Sequence, residues 1–449
     1  MTRARRTIAG VCAAFAVAAP VVVAAPAGAA DEMTADGTLL GGATYALHKP
    51  SDWNGDLVVL PGRPDLDTPS VDWLTDAGYG VIGYDLSDDW DLLQDRDNAS
   101  AAYRAFGEAA GVAPDSAVVA GRSQGGLTTR IIVDAQPDWL DGALPMCGGG
   151  AGNISTWNYK LDTAFALREL VDPSSTMQIV GIHDAGAELA AMTDLVDMTG
   201  SSTEGRARAA LAAALAKIPA VDPASGEPLA DLDARIDRYL EHLPFAMGSH
   251  VRVGYERTVG GVFSWNDDVD YADELRASGR WSEVAGAYRA AGLDLRDDLE
   301  TLARAERISA DPEAVGFVER TSTFTGELDV PVLSLHTTGD GAGSTQDDDA
   351  YAETVRAAGD RAMLRQLTVS ADGHCTFTAA EEAVAVSALF ERIRSGRWSS
   401  MAPARLEVRA DELRQAASAE LGDVRFLQRA PHGAPARMWD IRDWGTYTG

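Results

Sequence analysis

Short apolar runs alternate with amphipathic stretches along the first third of the chain, and the two periods predict strands and helices in turn. Leu57 to Leu60 is a four-residue apolar run stopped by Pro61-Gly62, which fits a buried parallel strand. Val71 to Ala77 reads as a short helix, Gly80 to Tyr84 as a strand, and Ala99 to Ala110 as a helix closed by Gly111 and Pro114. Ala117 to Ala120 is a third strand, Gln124 to Ala135 the helix after it, and Gly142 to Met146 a fourth strand. Strands separated by helices of this length predict βαβ units and a parallel sheet.

The rhythm then stops until Val330 to Leu335. The interval far exceeds the dozen or so residues a crossover needs, so it must hold additional structure. Spaced apolar residues predict helices at Leu161 to Leu170, Gly205 to Lys217, Leu229 to Leu243 and Ser282 to Ala291. Afterwards the alternation resumes with a helix from about Asp347 to Ala358, a strand at Leu364 to Val369 and a helix from Thr378 to Ile393. The expected organisation is a core over residues 31–146 and 326–395, a helical cap over 147–325, and a C-terminal extension, 396–449, of unread role.

Composition narrows the function. The 449 residues carry a formal net charge of −30, with lysine only at Lys49, Lys160 and Lys217. That balance argues against nucleic acid, whose phosphates require clustered cations. Residues 1–30 read as a secretory leader: Arg3, Arg5 and Arg6, the apolar stretch Ile8 to Ala25, then Ala27-Gly28-Ala29. Its removal would delete three arginines and bring the charge to −33. No later run approaches the roughly 18 apolar residues of a membrane span, so a secreted protein without a stable membrane anchor is expected. Cleavage would leave two cysteines, Cys147 and Cys375. In an oxidising compartment these form either one disulfide or two buried thiols.

Gly121-Arg122-Ser123-Gln124-Gly125 matches G-x-S-x-G, and it lies where a strand turns straight into a helix. That turn exposes a serine hydroxyl above the carboxyl edge of a sheet. A serine needs a base. Of the seven histidines, His374 has the right place, on the loop after the last strand; His183 is the alternative, and His336, at a strand end, is expected to pack. Asp340 directly follows the strand Val330 to Leu335 and is the expected partner of His374. Asp347, Asp348 and Asp349, after Ser344-Thr345, read as helix N-terminal acids rather than a calcium site. The glycines Gly148 to Gly152 lack the Lys-Ser/Thr of a phosphate loop and read as a hinge into the cap. No metal-binding motif is present, and neither a metal nor a cofactor is expected. Trp157, Asn158, Tyr159 and Trp265 are read as cap core before pocket lining.

With the order Ser123, Asp340, His374, the chain resembles the α/β-hydrolase superfamily over roughly residues 45–146 and 326–395. The resemblance implies an α/β fold with an eight-stranded, mostly parallel sheet and a large helical cap inserted before the strand that carries the aspartate. It is similar more narrowly to secreted actinobacterial serine hydrolases with a Gly-His-Cys-x-Phe segment, here Gly373 to Phe377. It also echoes tannase and feruloyl-esterase-type enzymes, in which a cysteine after the histidine bonds one just before the serine. Here Arg122 holds that earlier place, and Cys147 is the substitute partner offered to Cys375. The superfamily further implies oxyanion donors at Gln124 and at Gly62 or Arg63. The expected activity is hydrolysis of a small or polymeric carboxylic ester through an acyl-enzyme. The alternatives are an exopeptidase or amidase of the same fold, or a noncatalytic binding protein on that scaffold.

Overall fold

The computed structural model of the protein describes residues 32–418, 420–429 and 437–449, so the expected leader lies outside the described residues. Among the described residues nine strands form one sheet: β1 (Met33–Thr38), β2 (Thr44–Lys49), β3 (Asp56–Pro61), β4 (Gly80–Tyr84), β5 (Ser116–Arg122), β6 (Gly142–Met146), β7 (Val332–Gly339), β8 (Leu364–Asp372) and β9 (Phe426–Leu427). Their spatial order is β1-β2-β4-β3-β5-β6-β7-β8-β9. Pairing is parallel from β4 through β8 and antiparallel at the two margins. The expectation of eight strands is therefore corrected by one. The extra strand is β9, from the C-terminal extension, which pairs with Thr368 and Val369 and covers the backbone groups β8 would otherwise leave at an edge. The hairpin β1–β2 carries no continuous apolar run, and its residues alternate between half-buried and exposed along β1.

The helices packed on the sheet are α1 (Pro69–Asp76), α2 (Leu92–Ala110) and α3 (Gln124–Ala135). Between β6 and β7 lie α4 (Asn153–Val171), α5 (Ala185–Gly200), α6 (Thr203–Leu215), α7 (Leu232–Met247), α8 (Ser249–Val259), α9 (Tyr271–Ala277), α10 (Trp281–Ala290), α11 (Leu295–Arg304) and α12 (Pro312–Ser322). The chain closes with α13 (Thr345–Ala358), α14 (Ala379–Ser395) and α15 (Pro403–Ala416). No helix among the described residues is long and apolar enough to cross a membrane.

Alternation along β3 shows how the two faces of the sheet are filled. Leu57 and Val59 point into a core shared with Phe106 of α2, Ile131 of α3 and Tyr351 of α13. Val58 and Leu60 point the other way, to Leu74 of α1, Leu389 of α14 and Leu406 of α15. The cap has a third core of its own, drawn from residues between Tyr159 and Leu302. At its centre lies α6, where Ala209, Ala210, Ala212, Ala213 and Ala214 are buried and their small side chains let α4, α5 and α10 approach closely. The inserted segment is not wholly cap, however. Ile154 and Trp157 of α4, Tyr255 of α8 and Val315 of α12 belong to the sheet's core.

The C-terminal extension has two structural tasks. Its α15 and β9 pack on α14 and β8. Its last residues cross the base of the cap, where Arg437 bonds buried Asp162 at 2.6 Å, and Trp439 meets Trp265 edge-on at 4.9 Å.

Candidate active site

Ser123 occupies the single residue between β5 and α3, at φ 55° and ψ −121°. Side chains with a Cβ seldom hold that conformation, so the surrounding contacts must impose it. The flanking glycines explain how the turn closes. A Cβ on Gly121 would collide with the carbonyl oxygen of Gly125, and one on Gly125 would lie 2.7 Å from that of Pro61. The turn is fixed by the Ser123 N–H, which donates to Met146 O at 3.0 Å.

Three expected residues converge here. His374 Nε2 lies 2.7 Å from Ser123 Oγ. Its Nδ1 lies 2.9 and 2.8 Å from the two oxygens of Asp340, which is 1% exposed. A carboxylate only accepts, so Nδ1 carries the proton and Nε2 is left to accept from the serine hydroxyl. Asp340 also accepts from the backbone N–H groups of Ala342 and Gly343 at 2.8 and 3.1 Å. Burial by itself would raise the Asp340 pKa, but the adjoining imidazoles of His374 and His336 hold it well below the usual carboxylate range. His183, the alternative base, is exposed and does not line the cleft at Ser123.

His336 does pack, as expected, but it is also charged. Its Nδ1 lies 3.0 Å from Asp348, and its Nε2 3.2 Å from both Gly343 O and Asp340. Every one of these partners is acceptor-only, so both ring nitrogens donate and the ring is an imidazolium. Burial works against that charge, and the carboxylates of Asp348 and Asp340 overcome it, raising the pKa.

Asp347, Asp348 and Asp349 stand at the N-terminal end of α13, as expected of helix N-terminal acids. Ser344 caps α13 as that reading implied, yet all three aspartates are buried because the first turn of α13 faces inward. Asp348 bonds Arg130 at 2.5 Å, Asp349 pairs with Arg429, and Asp347 accepts from Tyr159 and Thr156 at 3.3 Å. Burial raises the Asp347 pKa to about 6, with His336 opposing and Asp348 assisting the shift.

The loop carrying His374 is held on two sides. Cys375 forms a disulfide with Cys147, the residue after β6. Opposite, Arg122 and Arg63 share the carboxylate of Glu382 on α14, and Arg122 lies over the Phe377 ring at 5.8 Å. Arg122 thus ties the elbow to the histidine loop from the position where the tannase pattern has a cysteine. Sequence reading missed this triplet, whose glutamate lies hundreds of residues from both arginines.

Of the expected oxyanion donors, only Gln124 is well placed. It is the first residue of α3, so its N–H leaves the helix end beside Ser123 without an intrahelical acceptor. Its side chain is pinned to Ser87 O at 3.1 Å and to Asp95 at 3.0 Å. Gly62 and Arg63 are corrections. The Gly62 N–H donates to Tyr84 O at 2.8 Å, and the Arg63 N–H turns back to Leu60 O at 3.3 Å. Neither residue lines the cleft.

That cleft is narrow, about 80 Å³, with walls of Trp90, Leu127, Trp157, Phe245 and Val251. Phe245 stands edge-on to the His374 ring at 5.1 Å. Through Trp90, Gln124 and Val251 it adjoins a more open groove of about 460 Å³. Trp157 therefore serves both as core and as wall, Tyr159 belongs to the cap's core, Trp265 to the sheet's, and the Asn158 side chain accepts from the Trp265 N–H. Gly148, expected to act as a hinge, is packed against the backbone of Gly126 and Leu127 with no space for a Cβ.

No family model matches the chain. A relative named o-phthalyl amidase, from Xanthobacter agilis, is 28% identical over 406 residues, covering 82% of this chain and 88% of that protein. Among solved structures, Est1E from Butyrivibrio proteoclasticus is 11% identical over 86% of this chain and 96% of its own, at TM-score 0.32. Feruloyl esterase B from Aspergillus oryzae is 11% identical over 81% and 80%, at TM-score 0.36. By the order of its strands and the strand ends at which Ser123, Asp340 and His374 stand, this chain has the α/β-hydrolase fold.

Proposed function

We propose that the protein is a serine hydrolase that cleaves a carboxylic ester or amide through an acyl-enzyme on Ser123. The observation that carries this reading is the continuous line of short contacts from Ser123 Oγ through the His374 ring to Asp340. In this reading His374 Nε2 takes the serine proton as Oγ attacks the carbonyl carbon, and returns it to the departing alcohol or amine. Asp340 fixes the ring's tautomer and stabilises the imidazolium formed in that step. The Gln124 N–H faces the developing oxyanion; one such donor contributes about 2.7–4 kcal/mol to the transition state. Water then repeats the sequence on the acyl-enzyme.

Ester cleavage is the reading favoured by sequence, and the amidase relative supports the amide side of the same chemistry. The narrow aromatic cleft suits a small, flat acyl group, and the adjoining open groove leaves room for varied leaving groups. The disulfide and the leader-like first thirty residues favour an extracellular setting.

A fluorophosphonate probe tests the nucleophile: the native protein is expected to label, and Ser123→Ala to lose label and turnover together with its fold intact by circular dichroism. Undiminished labelling of that variant would remove Ser123 from the mechanism. Benzoyl 4-nitrophenyl ester and benzoyl 4-nitroanilide, assayed side by side, divide esterase from amidase.

A further inference from the structure

Lys160 is one of three lysines in a chain whose other cations are arginines. It lies on α4, is 7% exposed, and lines the same cleft as Ser123 and His374. Its Nζ donates to Ala342 O at 2.8 Å and to Phe245 O and Ala246 O at 3.3 Å. Phe245 and Ala246 are in the last turn of α7, whose carbonyls have no intrahelical donor. The N–H groups of the ammonium therefore face neutral carbonyl oxygens. Among the described residues no carboxylate forms an ion pair with it; Asp347 and Asp340 act on it only from a distance, and buried Arg252 opposes them. Burial lowers its pKa to about 8, which still leaves the group mostly protonated at neutral pH.

A buried cation without a carboxylate in ion-pair contact is costly unless further negative charge reaches it. The walls nearest Lys160 are Trp157, whose ring lies 5.9 Å from Nζ, and Phe245. The narrow cleft that they line together with Lys160 is the one that holds Ser123 and His374. Resting on the acyl-transfer reading above, we propose that Lys160 recognises an ionised carboxylate carried by the acyl group of the substrate. The substrate class is then a mono-ester or mono-amide of a dicarboxylic acid with a compact, flat body. The carbonyl under attack lies at Ser123, and the second carboxylate completes the charge of Lys160. In this arrangement Lys160 determines specificity and takes no part in proton transfer.

The test is a series of 4-nitroanilides of 2-, 3- and 4-carboxybenzoic acid beside that of benzoic acid, with the native protein and with Lys160→Met and Lys160→Gln. Fluorophosphonate labelling of Ser123 is measured in parallel. The native protein is expected to favour at least one carboxylated anilide over the benzoyl compound by tenfold or more in kcat/KM. Both variants should lose that ratio, mainly through KM, while still labelling. A purely structural lysine would slow all four compounds alike and leave the ratio unchanged, which overturns the inference. Labelling of the native protein without any advantage for a carboxylated compound also overturns it and spares the hydrolase reading. Absence of both labelling and turnover removes the two together.

Discussion

Below the cleft and above it, the protein buries side chains by different rules. In the sheet, successive residues of β3 and β5 take opposite faces, and nearly everything buried there is apolar. In α4, which roofs the cleft, 16 of 19 residues are buried, and they include Asn153, Asn158, Lys160 and Asp162. The sheet therefore supplies a rigid apolar platform on which Ser123, Asp340 and His374 are aligned. The roof supplies polar groups, each satisfied by partners from elsewhere: Tyr255 for Asn153, Arg437 for Asp162, and the end of α7 for Lys160. The contrast separates tasks. In the reading proposed above, chemistry belongs to strand ends and selection to a helix that is buried on nearly all sides.

The largest effect that bears on this division is expected from Asp340→Asn. It should lower kcat about 10⁴-fold, by favouring the wrong imidazole tautomer, on esters and amides alike. A variant that discriminated strongly between acyl groups instead would place selection on the sheet side and dissolve the contrast. Next comes the tether on the histidine loop. Cys375→Ser is expected to cost about 2–5 kcal/mol of stability, read from denaturant melts, because the bond closes a very long loop. Its effect on turnover should be smaller than that of Asp340→Asn, since Arg122 and Glu382 still hold the histidine loop.

The smallest expected effect is a gain. Asp347 sits under the roof with a folded-state pKa of about 6 against an ordinary 3.8. The folded state holds its proton more tightly than the unfolded chain, so its contribution is complete below about pH 4 and is lost as pH rises through 6. Asp347→Asn removes that loss. The variant should be more stable than the native protein above pH 6, by up to about 3 kcal/mol, and the two should converge near pH 4. Thermal melts from pH 4 to 8 measure this. A uniform loss of stability across that range would instead assign Asp347 a structural partner that asparagine cannot serve.

These two construction rules also explain what could be read from the sequence. β3, β5 and β6 were legible because a strand buried on both faces needs a short unbroken apolar run, and Ser123, Asp340 and His374 were legible because each follows such a run or its loop. The start of α4 was not. Its first turns, Asn153 to Lys160, are too polar to show an apolar stripe, so the expected helix began at Leu161. The imidazolium of His336 depends on Asp348 and Gly343, and the Arg63–Glu382–Arg122 triplet on residues up to 319 positions apart. Neither leaves a local pattern. The oxyanion expectation at Gly62 and Arg63 failed for a related reason. Whether a backbone N–H is free depends on its neighbours, and Tyr84 O and Leu60 O take both.

The bond between Cys147 and Cys375 spans 228 positions, and every cap helix from α4 to α12 falls inside that ring. A protease that nicks any exposed cap loop thus yields two pieces that stay joined, migrating as one species until a reductant is added. The roof can thus be cut by a protease without being shed.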